Sequence, residues 1–253
     1  MKIVVIGGTG LIGSNLVNKL QRRDHTVVAA SPASGVNTIT GEGLNEALKN
    51  ADIVVDVSNS PSFEDKAVLD FFQRSTMNLL TAEAYAGVQH HVAMSVVGAD
   101  RLPESGYLRA KIAQEELIKA SGMPYSILRS TQFFEFAGKI AQAGTTGEEV
   151  HISPAVFQPI ASDEVVSALA DIVVGSPLNA TVEVAGPVRI PMYEFIRYYL
   201  NATEDPRRLI SDEHALYFGA ELNDGSLVPD ENPRLGKIKY EDWFSAQLAA
   251  ALS

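Results

Sequence analysis

Two periods of apolar residues alternate along the chain, and the alternation itself predicts the architecture. Residues 3–6 are an unbroken β-branched run, the pattern of a strand covered on both faces. Gly7-Gly8-Thr9-Gly10 breaks it. Leu11, Ile12, Leu16, Val17 and Leu20 then recur at helical spacing to about Arg23. Asp24-His25 turns the chain into a second buried run at 26–30, which Ser31-Pro32-Ala33-Ser34-Gly35 ends. This is one βαβ unit, and it implies a parallel, right-handed crossover. The rhythm continues with a short strand at 37–40, a helix at 44–48, a strand at 53–57 and a helix at 63–86. His90 and His91 read as turn residues before a strand at 92–95. A helix at 107–120 and a strand at 125–128 follow.

After Arg129 the pattern loosens. Helices are predicted at 133–143, at 163–174 with Ser162 as N-cap and Asp163 facing the dipole, and at 191–200 with Pro191 in the first turn. A strand is predicted at 181–184. Residues 203–233 read as a polar surface segment with a short helix, and 240–252 as a closing amphipathic helix anchored by Trp243. Strands alternating with helices predict an α/β fold on a mostly parallel sheet. At 253 residues the chain reads as one domain spanning 1–253, with 130–253 contributing a lobe over one side of the sheet.

Composition narrows the function. There is no cysteine, which excludes disulfides, thiolate metal sites and a cysteine nucleophile. The five histidines have no zinc-ligand spacing, so no metal is expected. A net charge of −11 opposes binding to nucleic acid and to anionic lipid. No apolar run is long enough to span a membrane. The first residues already read as a strand, so no leader is expected and the cytoplasm is the expected location.

Gly7, Gly10 and Gly13 form G-x-x-G-x-x-G directly after a strand and into a helix. Such glycines make a tight turn, let a pyrophosphate approach the backbone and let helix and strand pack closely. The helix N-terminus then meets the phosphates with unpaired N–H groups and its positive dipole end. An acid at the end of the second strand would accept from a ribose 2′-OH. Ser31-Pro32-Ala33-Ser34 stands there instead, and the hydroxyls of Ser31 and Ser34 favour NADP, with NAD as the alternative. Tyr107 and Lys111 form Y-x-x-x-K, which puts both side chains on one helix face. An ammonium there lowers the phenol pKa and fits Tyr107 for proton transfer to a carbonyl. Ser95, at the end of the preceding strand, is a candidate to hydrogen-bond the same oxygen. Phe133, Phe134 and Phe136 fall where a substrate pocket is expected to open, and core packing explains them equally well.

These motifs together resemble the short-chain dehydrogenase/reductase superfamily. Residues 7–13 and 92–99 are similar to its glycine motif and its strand ending in serine. Gly122-Met123-Pro124-Tyr125-Ser126-Ile127-Leu128-Arg129 and the helix start at 158–165 resemble the atypical NmrA-like NAD(P)H-binding branch. The resemblance implies backbone contacts to cofactor from Thr9, Leu11 and Ile12 and an adenine-side position for Glu42. It implies cofactor contacts from Ser58, Asn59 and Ser60 and a reach from Lys111 to the nicotinamide ribose. It places Thr131 beside the nicotinamide, and Gln132, Phe133 and Phe134 at the substrate. The expected fold is therefore a Rossmann-type doubly wound parallel sheet of order 3-2-1-4-5-6 with a small C-terminal substrate-side lobe. The expected function is an NAD(P)H-dependent oxidoreductase acting on a small carbonyl or quinone. The alternative is an NmrA-like cofactor-sensing regulatory protein without turnover. A nucleotide-sugar epimerase or dehydratase is disfavoured because such enzymes are usually longer.

Overall fold

The structure, a computed structural model, describes residues 1–251. In chain order the strands are β1 (Lys2–Ile6), β2 (Thr26–Ala30), β3 (Ile53–Asp56), β4 (His90–Val96), β5 (Tyr125–Ser130) and β6 (Thr145–Thr146). Then come β7 (Glu149–Ile152), β8 (Val156–Phe157), β9 (Ala180–Ala185), β10 (Ile190–Pro191), β11 (Arg208–Ser211) and β12 (Arg234–Leu235). The α-helices are α1 (Leu11–Gln21), α2 (Leu44–Leu48), α3 (Asp65–Ala86), α4 (Gly106–Ala120), α5 (Ala137–Ala143), α6 (Ser162–Val174), α7 (Met192–Ala202) and α8 (Tyr240–Ala251). The predicted last helix ran to Leu252, which lies outside the described residues.

A seven-stranded sheet of order β12-β9-β5-β4-β3-β1-β2 forms the centre, every pairing parallel. This is a Rossmann-type α/β architecture. β1 shows why its residues form a double-faced strand. Ile3 and Val5 pack with α1 and α6 on one side, and Val4 and Ile6 pack with α2 and α3 on the other. Beyond the sheet, β6, β7 and β11 form a three-stranded sheet and β8 pairs with β10. With α5, α7 and α8 they enclose a second core around Phe134, Phe157, Phe195 and Tyr240.

Several expectations are corrected. Residues 37–40 are a turn. Asn37 Oδ1 accepts from the Ile39 and Thr40 N–H groups, and Asn78 Nδ2 takes the carbonyls of Thr38 and Ile39 at 2.9 Å each. No ladder bonds remain for a strand, so β2 is the sheet edge and the expected order loses its first member. At the other edge β9 and β12 extend it. His90 and His91 lie inside β4 and are buried, bonded to Ser126 Oγ at 2.9 Å and to Glu83 at 2.9 Å. Their polarity hid a strand because the partners come from distant elements. Ser162 is the first residue of α6 rather than its cap, and the Glu135 carboxylate accepts from its N–H and hydroxyl. Residues 203–233 contain β11 but no helix.

Candidate active site

In a parallel sheet all strand C-termini share one edge, and ligands of such folds bind there. The turn after β1 is built for close approach. Gly7 has φ +77° and hydrogen-bonds Ala30 O through its N–H at 2.9 Å, and a Cβ on it would lie 2.9 Å from Ser58 Cα. A Cβ on Gly13 would collide with the Gly7 carbonyl. Gly10 differs: a Cβ there meets only Gly7 O, at 3.4 Å. Thr9, Gly10 and Leu11 are exposed, and Ile12 is buried under the turn. The first turn of α1 holds no acidic residue and Gly10 caps it without a side-chain bond. Its first N–H groups are therefore without a side-chain partner and could accept an anion.

Beyond Gly7 lies the segment after β3. Asp56, buried at its end, accepts from the Ser58 N–H at 2.9 Å and from the Ser58 hydroxyl at 2.6 Å. Asn59 is exposed and its amide oxygen accepts from the Ser60 N–H at 3.0 Å. The Asn59 side chain lies beside the Tyr107 hydroxyl. Glycine turn, residues 58–60 and Tyr107 thus form one continuous line.

Tyr107 does not have the partner its spacing suggested. Burial pushes its phenol up to about 12, and the polar Asn59 side chain beside it offsets this only partly. Lys111 is 3% exposed and points into the protein. Its Nζ donates to Met94 O at 2.9 Å and to Gln114 Oε1, and lies 4.4 Å from the Phe72 ring centre. Burial pulls it down to about 8, against the opposing pull of Asp56 and Glu115. Gln114 Nε2 in turn donates to Asp56 Oδ2 at 2.9 Å. Lys111 therefore connects through Gln114 and Asp56 to Ser58, not to the phenol.

Ser95 also faces inward. Its hydroxyl donates to Glu115 Oε1 at 2.6 Å, and Glu115 is paired with Arg129 at 2.8 Å. The pleat explains the difference. Ser95 points to the α4 side of β4, whereas Val96 borders the second core, against which Tyr107 also packs.

After β5, Thr131 and Gln132 are buried. The Thr131 hydroxyl and both polar atoms of the Gln132 amide lack a well-formed bond. The Tyr217 hydroxyl lies beside the Gln132 amide and close enough to Tyr107 to feel its charge. Phe133 and Phe134 are core residues, 6% and 2% exposed. Phe134 packs on Phe195, Tyr240 and Trp243. The aromatics around Tyr107 are instead Phe63, Phe72 and Phe218, at centroid distances of 5.5, 6.2 and 5.3 Å. Neither Phe63 nor Phe218 stands near a sequence motif, so no local signal marks them.

At the adenine end, Ser34 Oγ accepts from the Ser31 N–H at 2.9 Å and closes a short 3-10 turn. Ser31 is buried and Ser34 exposed. Glu42 is exposed in the folded-back loop, its carbonyl accepting from the Asn37 N–H at 2.8 Å. A cavity of about 540 Å³ lies elsewhere, at the sheet edge between α6, β9 and residues 230–234. We assign it no chemistry because no glycine turn or candidate catalytic group borders it. Among the described residues there is no group of three or more potential metal ligands, and no helix is long and apolar enough to cross a membrane.

Comparison with known proteins follows this geometry. Residues 7–173 match the family described as NAD(P)H-binding. The photosystem II assembly factor Ycf39 of Synechocystis sp. is 26% identical over 149 residues, covering 53% of this chain and 46% of that protein. The chain thus spans about half the length of the curated relatives it matches. Among solved structures, dTDP-4-dehydrorhamnose reductase of Bacillus anthracis in complex with NADP superposes with a TM-score of 0.76 at 14% identity, covering 98% of this chain and 99% of that one. MoeE5 in complex with UDP-glucose and NAD gives 0.76 at 18% identity over 100% of both chains. These structures share the fold. Their coverage also removes the length argument against nucleotide-sugar enzymes.

Proposed function

The chain belongs to the NAD(P)H-binding family, and from that premise we propose that it is an NAD(P)H-dependent reductase of a small carbonyl or quinone, with Tyr107 as proton donor. One observation carries the reading: Ser58 packs on Gly7 while the side chain of its neighbour Asn59 lies beside the Tyr107 hydroxyl. A dinucleotide laid along that line has its phosphates at the glycine turn and its reactive end at the phenol. The residues fit such a ligand. Gly10 leaves open the space that a pyrophosphate needs, and the orphaned Thr131 hydroxyl and Gln132 amide are buried polar groups without partners. The nicotinamide, when bound, supplies hydride.

The chain's own residues supply the proton and the geometry. A phenol held near 12 stays protonated at neutral pH. It can donate to a carbonyl oxygen that gains charge as hydride arrives, and it takes the same proton back in the reverse reaction. Lys111 acts as a positioning residue through Gln114 and Asp56, which hold Ser58. The buried Ser31 and the absence of an acid after β2 favour NADP over NAD. The strand motif at 122–129 supports placement in the NmrA-like branch.

One observation favours a second reading. Ser95 and Lys111 are both bonded inside the protein, which suits a cofactor-responsive regulatory or assembly protein without turnover. The test is NADPH and NADH oxidation against a panel of carbonyls and quinones, alongside direct nucleotide binding. Tyr107→Phe should lower kcat by about 10²–10⁴-fold while nucleotide affinity stays unchanged. Tight nucleotide binding with no panel member reduced would reject the reductase in favour of the regulator.

A further inference from the structure

Phe218 sits at the tip of a two-residue turn. Tyr217 and Ala220 exchange backbone hydrogen bonds at 2.8 and 3.1 Å, and Phe218 itself has φ +47°. A bulky residue is out of place in that left-handed conformation, whereas a polar or glycine residue would be at ease. The conformation closes the two backbone bonds of the turn, which a glycine or asparagine would close without strain, and phenylalanine adds the placement of one ring. Phe218 stacks on Tyr107 with centroids 5.3 Å apart and 27° between planes, and it meets Phe63 at 5.5 Å. Phe63 and Tyr107 are themselves 5.5 Å apart, so the three rings close on one another. Phe218 and Phe63 remain 44% and 52% exposed, so the ring resting on the candidate proton donor is a half-open one.

A second, independent feature lies next to this cluster. Gln132 is 5% exposed, yet neither end of its amide makes a well-formed bond. The Tyr217 hydroxyl beside it belongs to the same turn as Phe218. A buried primary amide left unpaired is costly unless a ligand satisfies it, and its N–H donors suit a carbonyl oxygen.

We propose that the space held by the Phe218 ring against Tyr107 and Phe63 is a subsite for a planar ring bearing carbonyl groups. The inference rests on the reductase reading and narrows its substrate to quinones and aryl ketones. The substrate ring displaces Phe218, takes its place against Phe63 and Tyr107 and presents one oxygen to the phenol. Gln132 donates to an oxygen of the same ring system. The closed contact distances require displacement, because a second ring cannot enter a stack already in contact. The left-handed backbone of Phe218 favours its release.

The test measures equilibrium binding by calorimetry without any nucleotide, with 1,4-naphthoquinone, naphthalene and cyclohexanone as probes. The chain has no cysteine, so thiol addition to the quinone does not interfere. Phe218→Gly suits the local φ and should bind 1,4-naphthoquinone about 2–12-fold more tightly, the factor that an aromatic pair is worth. Phe63→Leu should weaken it by a similar factor. Gln132→Leu should weaken 1,4-naphthoquinone about tenfold and leave naphthalene unchanged, the worth of one hydrogen bond. In the unaltered protein, saturating 1,4-naphthoquinone should shift the ring proton NMR signals of Phe218 and Tyr107, because the two rings separate. Unchanged or weaker binding in folded Phe218→Gly, binding of cyclohexanone as tight as that of the quinone, or unmoved Phe218 and Tyr107 signals would each overturn the subsite. The two readings fail separately. Reduction of aliphatic carbonyls with no ring preference removes only the subsite, whereas ring binding without reduction removes only the reductase.

Discussion

The two faces of the central sheet are built from different materials. Under α1 and α6 the layer is mostly apolar, from Ile3 and Val5 to Phe133, Val165, Leu169 and Val173, with the His90–Ser126 pair as its buried polar contact. Under α3 and α4 the layer contains Asp56, Glu83, His91, Lys111, Glu115 and Arg129, all under 10% exposed. Three are acids and three are bases, and each has a partner from another element: His91 with Glu83, Glu115 with Arg129, and Lys111 reaching Asp56 through Gln114. The apolar face needs chiefly volume and spacing. The charged face needs every partner in place, because an ion buried alone is penalised far more than a missing methyl group. That second layer claims two side chains that the motifs assigned to chemistry, Lys111 and Ser95. A Y-x-x-x-K spacing puts both side chains on one helix side, but it does not say whether that side faces a ligand or the sheet.

The comparison is most sharply broken at Glu115–Arg129. Arg129→Met leaves the Glu115 side chain, 1% exposed, with only Lys119 at 3.3 Å and the Ser95 hydroxyl as partners, and should lower unfolding free energy by about 3 kcal/mol in urea titrations. Adding Glu115→Leu should recover most of the loss. If single and double variants are equally destabilised, the pair is ordinary packing. On the other face Leu169→Ala should cost about 2–5 kcal/mol, and no second substitution of charge would rescue it.

Gly10→Val addresses the cleft. The added side chain enters open space and stability should hold, while nucleotide affinity falls by about 10²-fold or more through loss of charge-assisted bonds worth about 1.5–3 kcal/mol each. Gly13→Val, by contrast, collides with the turn itself and should unfold the protein more readily. Equal nucleotide affinity in folded Gly10→Val and in the parent protein would remove the glycine turn from the binding site.

Lys111 supplies a pH test of the charged face. Its pKa of about 8 lies below that of an unfolded lysine, so between about pH 8 and 10.4 the unfolded chain binds the extra proton. Stability should therefore gain from this group as pH rises through that window, and the gain should vanish in Lys111→Met. A matching pH slope in both proteins would place Lys111 in solvent. The smallest effect is expected after β2, at the buried Ser31. Ser31→Asp should turn preference from NADP toward NAD by about tenfold, through repulsion of a 2′-phosphate. An unchanged ratio would move the ribose away from Ser31.

The elements of residues 2–30 were legible in sequence because their structure is local: a β-branched strand, a glycine turn and an amphipathic helix each follow from neighbours a few positions apart, although β2, expected to be buried, is a half-exposed edge strand. The same holds for the parallel sheet as a class. Hydrophobic period and backbone sterics act over one or two turns, and one chain contains all the information they need. The tertiary structure alone decided what each polar side chain faces. Asn78, some forty residues away, turns 37–40 from strand to loop, and Glu83 takes His91 into the core. Gln114 and Met94 draw Lys111 away from Tyr107, while Phe218, more than a hundred residues along the chain, lies against its ring. A polar group's role depends on its partner and on burial, and both are set by contacts that no local period encodes.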